Sequence, residues 1–87
     1  MTQILTHIVI DASIVLSWIL DDEQDPDALF AQEYIIRGGI IMCAPDLLVT
    51  EVTNALLSAV KSRRISAENA HNLLTNFVRM PVDYSPI

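Results

Sequence analysis

Residues 8–16 read Ile8-Val9-Ile10-Asp11-Ala12-Ser13-Ile14-Val15-Leu16, so a single aspartate divides two apolar runs. The β-branched residues before the aspartate are typical of a buried strand, and the stretch after Ser13 has helical length without a breaker. We therefore predict a first strand over roughly residues 7–11, then a helix with Ser13 as its N-cap that runs through Leu20. Asp11 then lies where a strand leaves a sheet, which is the edge at which open α/β sheets bind ligands.

The rest of the chain alternates between helical and strand patterns, which predicts a parallel α/β sheet. Asp25-Pro26 favours the start of a second helix, which we expect to stop at Gly38-Gly39. The continuous apolar run Ile40 to Ala44 predicts a second strand that is covered on both faces. The last predicted elements are a third helix opened by Pro45-Asp46 and running to about Lys61, a fourth helix capped by Ser66, and a short strand over Pro81 to Tyr84.

Composition limits the classes of protein that this chain resembles. It has 87 residues, of which 52% are hydrophobic, and we interpret residues 1–87 as one domain. So small a body cannot bury that much apolar surface, which predicts an oligomer or a partner-binding surface. The net charge of −6 argues against a broad basic face for nucleic acid, but not against a nuclease whose acidic site recruits cations.

The N-terminus and the cysteine content favour a cytoplasmic protein. Met1-Thr2-Gln3 carries no basic residue that would begin a secretory signal, and the single cysteine, Cys43, cannot form an internal disulfide. The longest apolar stretch, Ile8 to Leu20, is interrupted by polar residues and is too short to span a bilayer, so no membrane association is expected.

A second acid, Glu51, interrupts the apolar pattern of the predicted third helix. Its neighbours at three- and four-residue spacing are mostly apolar, which is unusual for an exposed glutamate. The alternative for Glu51 is that it reaches the surface or pairs with an arginine. The alternative for Asp11 is that it only caps the helix that follows the strand. Because the third helix follows a strand parallel to the first, we interpret Glu51 as lying near the edge where Asp11 emerges.

Two carboxylates in one site predict a metal. Brought close together they would raise each other's pKa, and a divalent cation removes that repulsion. Oxygen ligands without histidine or thiolate favour Mg²⁺ or Mn²⁺, and the corresponding chemistry is phosphodiester hydrolysis. The basic residues Lys61, Arg63 and Arg64 would touch an RNA backbone or, alternatively, form an ordinary solvated helix end. The remaining prediction is that three aromatic residues belong to the core: Trp18, Tyr34 and Phe77.

Residues 8–16, together with Ala44-Pro45-Asp46-Leu47-Leu48-Val49-Thr50-Glu51-Val52-Thr53-Asn54-Ala55-Leu56, resemble the PIN domain, and most of all the VapC-like toxins of toxin–antitoxin pairs. The resemblance implies a three-layer, Rossmann-like parallel sheet of strand order 3-2-1-4-5 flanked by helices. It also implies a Mg²⁺-dependent endoribonuclease that is held inactive by an antitoxin and is commonly a homo-oligomer.

The resemblance assigns roles to four residues. Asp11 matches the first metal-binding acid, Glu51 the second, and Ser13 the hydroxyl that supports the first acid. Asn54, one turn beyond Glu51, matches a supporting or substrate-contacting position. PIN domains supply further aspartates from a later segment, and Asp83 is no substitute for them, so only part of the acidic cluster is expected.

The same comparison implies that this chain, ending at Ile87, lacks the last strands of the fold. The edge of the first strand would then be bare, which predicts pairing with another chain, a complementing partner or a truncated product. The alternative function is therefore a catalytically inactive PIN fold that binds an antitoxin or its own copies.

Overall fold

The structure is a computed structural model that describes residues 6–20, 22, 25–38 and 40–86. Its elements are β1 (Thr6–Val9), α1 (Ala12–Ile19), α2 (Pro26–Ile36), β2 (Ile40–Pro45), α3 (Leu47–Lys61), α4 (Ala67–Val78) and β3 (Val82–Ser85). The predicted order of helices and strands is confirmed. Within the described ranges, no helix has the length and apolar character needed to cross a membrane.

The strands form a parallel sheet in the order β1-β2-β3, which confirms the predicted α/β class. Ile8 of β1 is in register with Met42 of β2, and Met42 is in register with Val82 of β3. All strands therefore end at one edge of the sheet, here called the carboxyl edge, from which α1 and α3 begin.

The core lies between the helices and one face of this sheet. Met42 and Ala44 of β2 are buried, and Ile8 of β1 packs against the same cluster. Residues of the opposite face are more open, and Val9 is 73% exposed while Asp83 is also exposed. The second strand, which we expected to be covered on both faces, is buried on one face, while Ile41 and Cys43 on its other face are half-buried.

The reason for this one-sided core is the connection of the strands. The chain moves from β1 to β2 to β3 in one direction across the sheet, through two helical crossovers. Since parallel crossovers are almost always right-handed, two that move in the same direction place their helices on the same side. The third layer that the resemblance implies is absent from the part of the chain described here.

The packed helical faces follow the sequence pattern except in α2. Phe77 of α4 is 1% exposed and Trp18 of α1 packs against the core cluster, as predicted. Tyr34 of α2 is 51% exposed, so its prediction as a core residue is wrong. Among the described side chains of α2, Ile35 alone packs against the cluster, because α2 turns its other large apolar side chains away from the core.

Local capping chemistry determines two of the helix starts and one of the ends. The Asp25 carboxylate accepts a hydrogen bond from the backbone N–H of Asp27 at 2.9 Å, and Ser66 Oγ accepts from Asn69 at 3.0 Å. Both predicted N-caps are thus confirmed. After α2, Gly38 has a φ of +86°, a conformation that glycine adopts at little cost. The other glycine of that predicted stop, Gly39, lies outside the described residues.

Candidate metal centre at the carboxyl edge

Asp11 occupies the junction between β1 and α1. The ladder to β2 continues one residue past the strand, since the Ile10 N–H donates to the Cys43 carbonyl at 2.8 Å. Asp11 then takes an extended conformation (φ −123°, ψ 176°) and becomes the N-cap of α1. The prediction that Ser13 caps this helix is therefore wrong, because the helix starts at Ala12, one residue after the chain leaves the sheet.

Two short hydrogen bonds orient the Asp11 carboxylate. Its Oδ1 accepts the backbone N–H of Ile14 at 2.9 Å and the hydroxyl of Ser13 at 2.8 Å. Ser13 therefore supports the acid, as the resemblance implies, although it does so from within the helix. Both of these bonds reach Oδ1, and the backbone N–H of Ser13 also favours the Asp11 carboxylate.

These bonds also determine the charge of the site. The Ile14 N–H and then the Ser13 hydroxyl favour the ionised form, and they hold the pKa of Asp11 below its ordinary value of 3.8. Glu51, the second acid of the predicted pair, is not among the groups that shift the pKa of Asp11. The hydrogen bonds outweigh the slight burial that opposes them, and the group is a carboxylate at neutral pH.

Glu51 lies in the second turn of α3 and is exposed. Its apolar sequence neighbours suggested a buried charge, but because Glu51 is exposed its carboxylate has no large desolvation cost. Leu48 and Val52 are each 0% exposed. At 3.6 residues per turn, Glu51 lies about 60° around the helix from Leu48 and about 100° from Val52. The apolar neighbours turn into the core while the carboxylate stays at the surface on its flank.

The topology brings Asp11 and Glu51 to the same end of the molecule. α1 and α3 both begin at the carboxyl edge, follow neighbouring strands, and pack against each other. Asn54 is exposed and lies one turn farther along α3, about 60° around the helix from Glu51. Of the four predicted site residues, Asp11 and Ser13 are in direct contact, and Glu51 and Asn54 share one flank of α3.

Asp83 is separated from this pair by the width of the sheet. It lies on β3, in register with Cys43 of β2, so β2 stands between it and β1. Over the described ranges, no group of three or more His, Cys, Asp or Glu side chains is arranged to hold a metal ion. Asp83 therefore lies too far across the sheet to join Asp11 at the carboxyl edge.

All the basic residues of the chain lie at helix ends away from Asp11. Arg37 and Arg79 are the C-caps of α2 and α4, each just before the start of a strand, and the remaining three fall at the end of α3 and the turn that follows: Lys61, Arg63 and Arg64. None of the lysine or arginine side chains therefore lies beside Asp11 to neutralise a phosphate bound at the carboxyl edge.

Arg64 has a structural partner that sequence analysis missed. Its guanidinium binds both carboxylate oxygens of Asp22, at 2.7 and 2.8 Å, across 42 residues of sequence. A cavity of about 390 Å³ beside this pair is also lined by Ile65 and Ser66. The pair lies past the C-terminal end of α1, whereas Asp11 caps its N-terminus. Arg64 therefore connects the loop after α1 to the turn after α3 through its ion pair with Asp22. No local sequence pattern indicated that pair.

The chain was also compared with known proteins. A scan against protein-family models found no match, and a search of curated proteins found none either. The functional assignment consequently depends on the geometry at the carboxyl edge and on the motifs around Asp11 and Glu51.

Proposed function

We propose that this protein is a PIN-type, Mg²⁺-dependent endoribonuclease, the toxin component of a toxin–antitoxin pair in the cytoplasm. The observation that supports it best is the Asp11 carboxylate, which is ionised, fixed through Oδ1 and located at the same edge as Glu51. An N-cap needs only one oxygen, so capping α1 leaves the second oxygen of Asp11 for a metal ion.

The residues present suit one Mg²⁺ or Mn²⁺ ion. Mg²⁺ is commonly held by one or two carboxylates while it keeps several waters and contacts substrate phosphate, and Asp11 and Glu51 provide that number of ligands. Both side chains are exposed, which leaves room for the water and phosphate ligands. Bound there, the ion would supply Lewis-acid activation of water and neutralise charge on the phosphodiester.

The chain's own groups position this chemistry. The Ile14 N–H and the Ser13 hydroxyl fix the rotamer of Asp11, whose carboxylate lies at the carboxyl edge. Glu51 supplies the second carboxylate, and Asn54 offers an amide that hydrogen-bonds a ribose or a phosphate oxygen. RNA is the substrate and a cognate antitoxin is the natural inhibitor in this proposal.

The test is RNA cleavage by the intact chain with and without Mg²⁺. We expect cleavage that a chelator stops and that Asp11→Asn or Glu51→Gln abolishes. Asparagine caps helices about as well as aspartate, so the first variant removes charge while it keeps α1 capped. Asp46→Asn is the matched control, because Asp46 is exposed, precedes α3 at the same edge and makes no capping bond with its side chain.

Ser13→Ala tests whether the Ser13 hydroxyl orients the Asp11 carboxylate for Mg²⁺ binding. Loss of a group that orients a metal ligand typically weakens metal affinity or activity by about 10–100-fold. We therefore expect Ser13→Ala to raise the Mg²⁺ concentration needed for half-maximal cleavage while higher Mg²⁺ restores the rate. Cleavage by Asp11→Asn at the wild-type rate would overturn the proposed function.

A second candidate is a non-catalytic protein-binding module, and the outward face of α2 favours it. Phe30 and Tyr34 are 61% and 51% exposed and pack edge to face with ring centroids 5.0 Å apart. Exposed aromatic pairs are typical of protein interfaces. The exposed acidic residue Asp27 on the same helix favours a basic partner such as an antitoxin.

Measuring association and RNA cleavage in the same sample distinguishes the two candidate functions. The binding module predicts stable association, seen by native mass spectrometry, without Mg²⁺-dependent cleavage in the same sample. Phe30→Glu should then abolish that association. The ribonuclease predicts cleavage that Phe30→Glu leaves unchanged, because α2 does not contribute to the carboxyl-edge site.

A further inference from the structure

Helices α3 and α4, joined by the turn after Lys61, form a helical hairpin with an apolar groove between them. The groove has a volume of about 210 Å³, and its walls are almost entirely apolar. This volume is below the roughly 300–1,000 Å³ of sites that enclose a small molecule, so the groove suits a few side chains of a larger partner. The residues that line it include Leu57 and Val60 of α3, and Ala67, His71 and Leu74 of α4.

The groove is separate from the face by which α3 packs into the core. Leu48, Val52 and Ala59 are each 0% exposed and mark that core face. At 3.6 residues per turn, Leu57 and Val60 lie about 130° around the helix from its middle. Leu57 is accordingly 52% exposed. α3 therefore carries a second apolar stripe, which α4 covers only in part.

The hairpin is basic although the chain as a whole is acidic. Residues 47–79 contain four of the five lysines and arginines and two acids, a net charge of +2, so the rest of the chain carries −8. One of the two acids, Glu51, lies at the carboxyl-edge end of α3, and the other, Glu68, is in the first turn of α4, where an acid stabilises the helix. The four basic residues are Lys61, Arg63, Arg64 and Arg79.

Arg63 occupies a backbone position that glycine fits better. Its φ is +60°, in the left-handed region. The N–H of Arg64 donates to the Ala59 carbonyl at 2.9 Å and the N–H of Arg63 to the Val60 carbonyl at 3.0 Å, which is the Schellman pattern that usually has glycine at this position. Retained backbone strain is typical of functional positions. Here it places an exposed cation in the turn that joins the two walls of the groove.

We propose that this groove binds an acidic amphipathic helix of a partner protein. The partner's apolar side chains, at the i, i+3, i+4 and i+7 spacing of one helix face, enter the groove. Its flanking carboxylates meet Lys61 and Arg63, both of which are exposed. Charge complementarity selects an acidic partner, because the hairpin carries +2 within a chain of net charge −6.

The same surface disfavours a second copy of the chain and RNA. Two copies related by a two-fold axis at this groove would place one basic hairpin against the other. RNA supplies phosphates and bases, but the groove walls offer almost no polar atom to bind a phosphate. Unpaired bases usually stack on exposed aromatic side chains, and the single Phe, Tyr or Trp residue of the hairpin, Phe77, is buried.

This binding site does not depend on the proposed ribonuclease activity. α3 begins at the carboxyl edge near Asp11, and the hairpin turn is at its other end. Asp11→Asn should therefore bind the partner helix as the wild type does, and Leu57→Ser should leave RNA cleavage unchanged. Failure of one proposal is consequently distinguishable from failure of the other.

Fluorescence anisotropy with labelled synthetic peptides tests the proposal on the intact chain. The probe is a peptide of about 15–20 residues, long enough to form a helix, with leucine along one face and glutamate on its flanks. The matched probe has lysine in place of each glutamate. We expect saturable binding of the glutamate peptide and at least about tenfold weaker binding of the lysine peptide, because like charges then face the hairpin. Equal affinities, or no binding of the glutamate peptide, would overturn the proposal.

Two matched substitutions locate the binding site. Leu57→Ser should weaken binding of the glutamate peptide by about tenfold or more, since it removes a leucine that the partner helix buries. Ile36→Ser removes an apolar side chain of α2 that is 76% exposed, and it should leave the affinity unchanged. Both variants should keep the wild-type circular dichroism. Equal affinities of the two variants contradict the location of the site.

Arg63→Gly distinguishes the role of the side-chain charge from that of the backbone. Glycine adopts the positive φ without strain, so the variant should unfold at a higher temperature than the wild type. Its affinity for the glutamate peptide should nevertheless fall by about two- to fivefold, the usual effect of one exposed ion pair. Wild-type affinity contradicts the role given to Arg63. Self-association or RNA binding that Leu57→Ser removes would assign the groove to a second copy or to RNA, and the proposal would be wrong.

Discussion

The Asp11 side chain both caps α1 and presents a carboxylate oxygen at the edge of the sheet. Its Oδ1 is occupied by the Ile14 N–H and the Ser13 hydroxyl, at 2.9 and 2.8 Å. Since the cap depends on hydrogen-bond acceptance and the metal site on charge, different substitutions separate the two roles.

Asp11→Ala should lower the free energy of unfolding by about 1 kcal/mol, the usual cost of removing an N-cap acceptor. Asp11→Asn should change it little, because an amide oxygen accepts the same backbone N–H. Urea denaturation followed by circular dichroism measures both. Equal destabilisation by the two substitutions would contradict the capping role.

The pH dependence of stability provides a second residue-scale prediction. The folded-state pKa of Asp11 is below its ordinary value of 3.8, so its ionised form stabilises the fold above that pH. This contribution is lost as the pH falls through the folded-state pKa. The difference in unfolding free energy between wild type and Asp11→Ala should therefore shrink on acidification. Urea midpoints measured from about pH 5 down to about pH 2 test this.

At the scale of single elements, short sequence signals identified helix starts correctly where the local sequence favoured one residue. Pro26 favours Asp25 over Asp27 as the N-cap, Ser66 has no Ser, Thr, Asp or Asn within two positions, and both residues cap their helices. Asp11 and Ser13 compete, since either is a suitable N-cap. The choice depended on where β1 leaves the β2 ladder, which no pattern within residues 8–16 reveals.

Ser66→Ala should destabilise the fold by about 1 kcal/mol through loss of the α4 cap. The Ser66 hydroxyl accepts the Asn69 N–H at 3.0 Å, and that donor would have only water as a partner in the variant. Ser58→Ala, an exposed change within α3, is the control and should not destabilise the protein. Thermal unfolding of both variants gives the comparison, and equal midpoints would count against the cap.

For the molecule as a whole, stability depends on a core that one layer of helices forms against one face of the sheet. Phe77 is among its largest fully buried side chains, at 1% exposure, while its neighbour Val78 is 53% exposed. Phe77→Ala should cost about 3–5 kcal/mol, a large part of the total for a domain of this size, which is about 5–15 kcal/mol. Val78→Ala should cost far less. Denaturation followed by Trp18 fluorescence distinguishes them, and similar losses would contradict this arrangement of the core.

The candidate site was predictable in part. The strand–Asp11–helix pattern correctly indicated an acid at the carboxyl edge, and the spacing of α3 placed Glu51 in its second turn. The pKa of Asp11 was not predictable, because it depends on donors that only the folded turn aligns. The exposure of Glu51 and of Tyr34 also depended on which helix face the sheet covers, and periodicity alone does not define that.

The sequence by itself determined the order of strands and helices, most of their ends, and which residues carry carboxylates near a strand end. These features depend on backbone propensities and hydrogen bonds between residues a few positions apart. Only the tertiary structure decided which sheet face is covered and that Arg64 binds Asp22 across 42 residues. Such features arise from packing between distant segments, whose free energy depends on their relative position and is not encoded in any short stretch of chain.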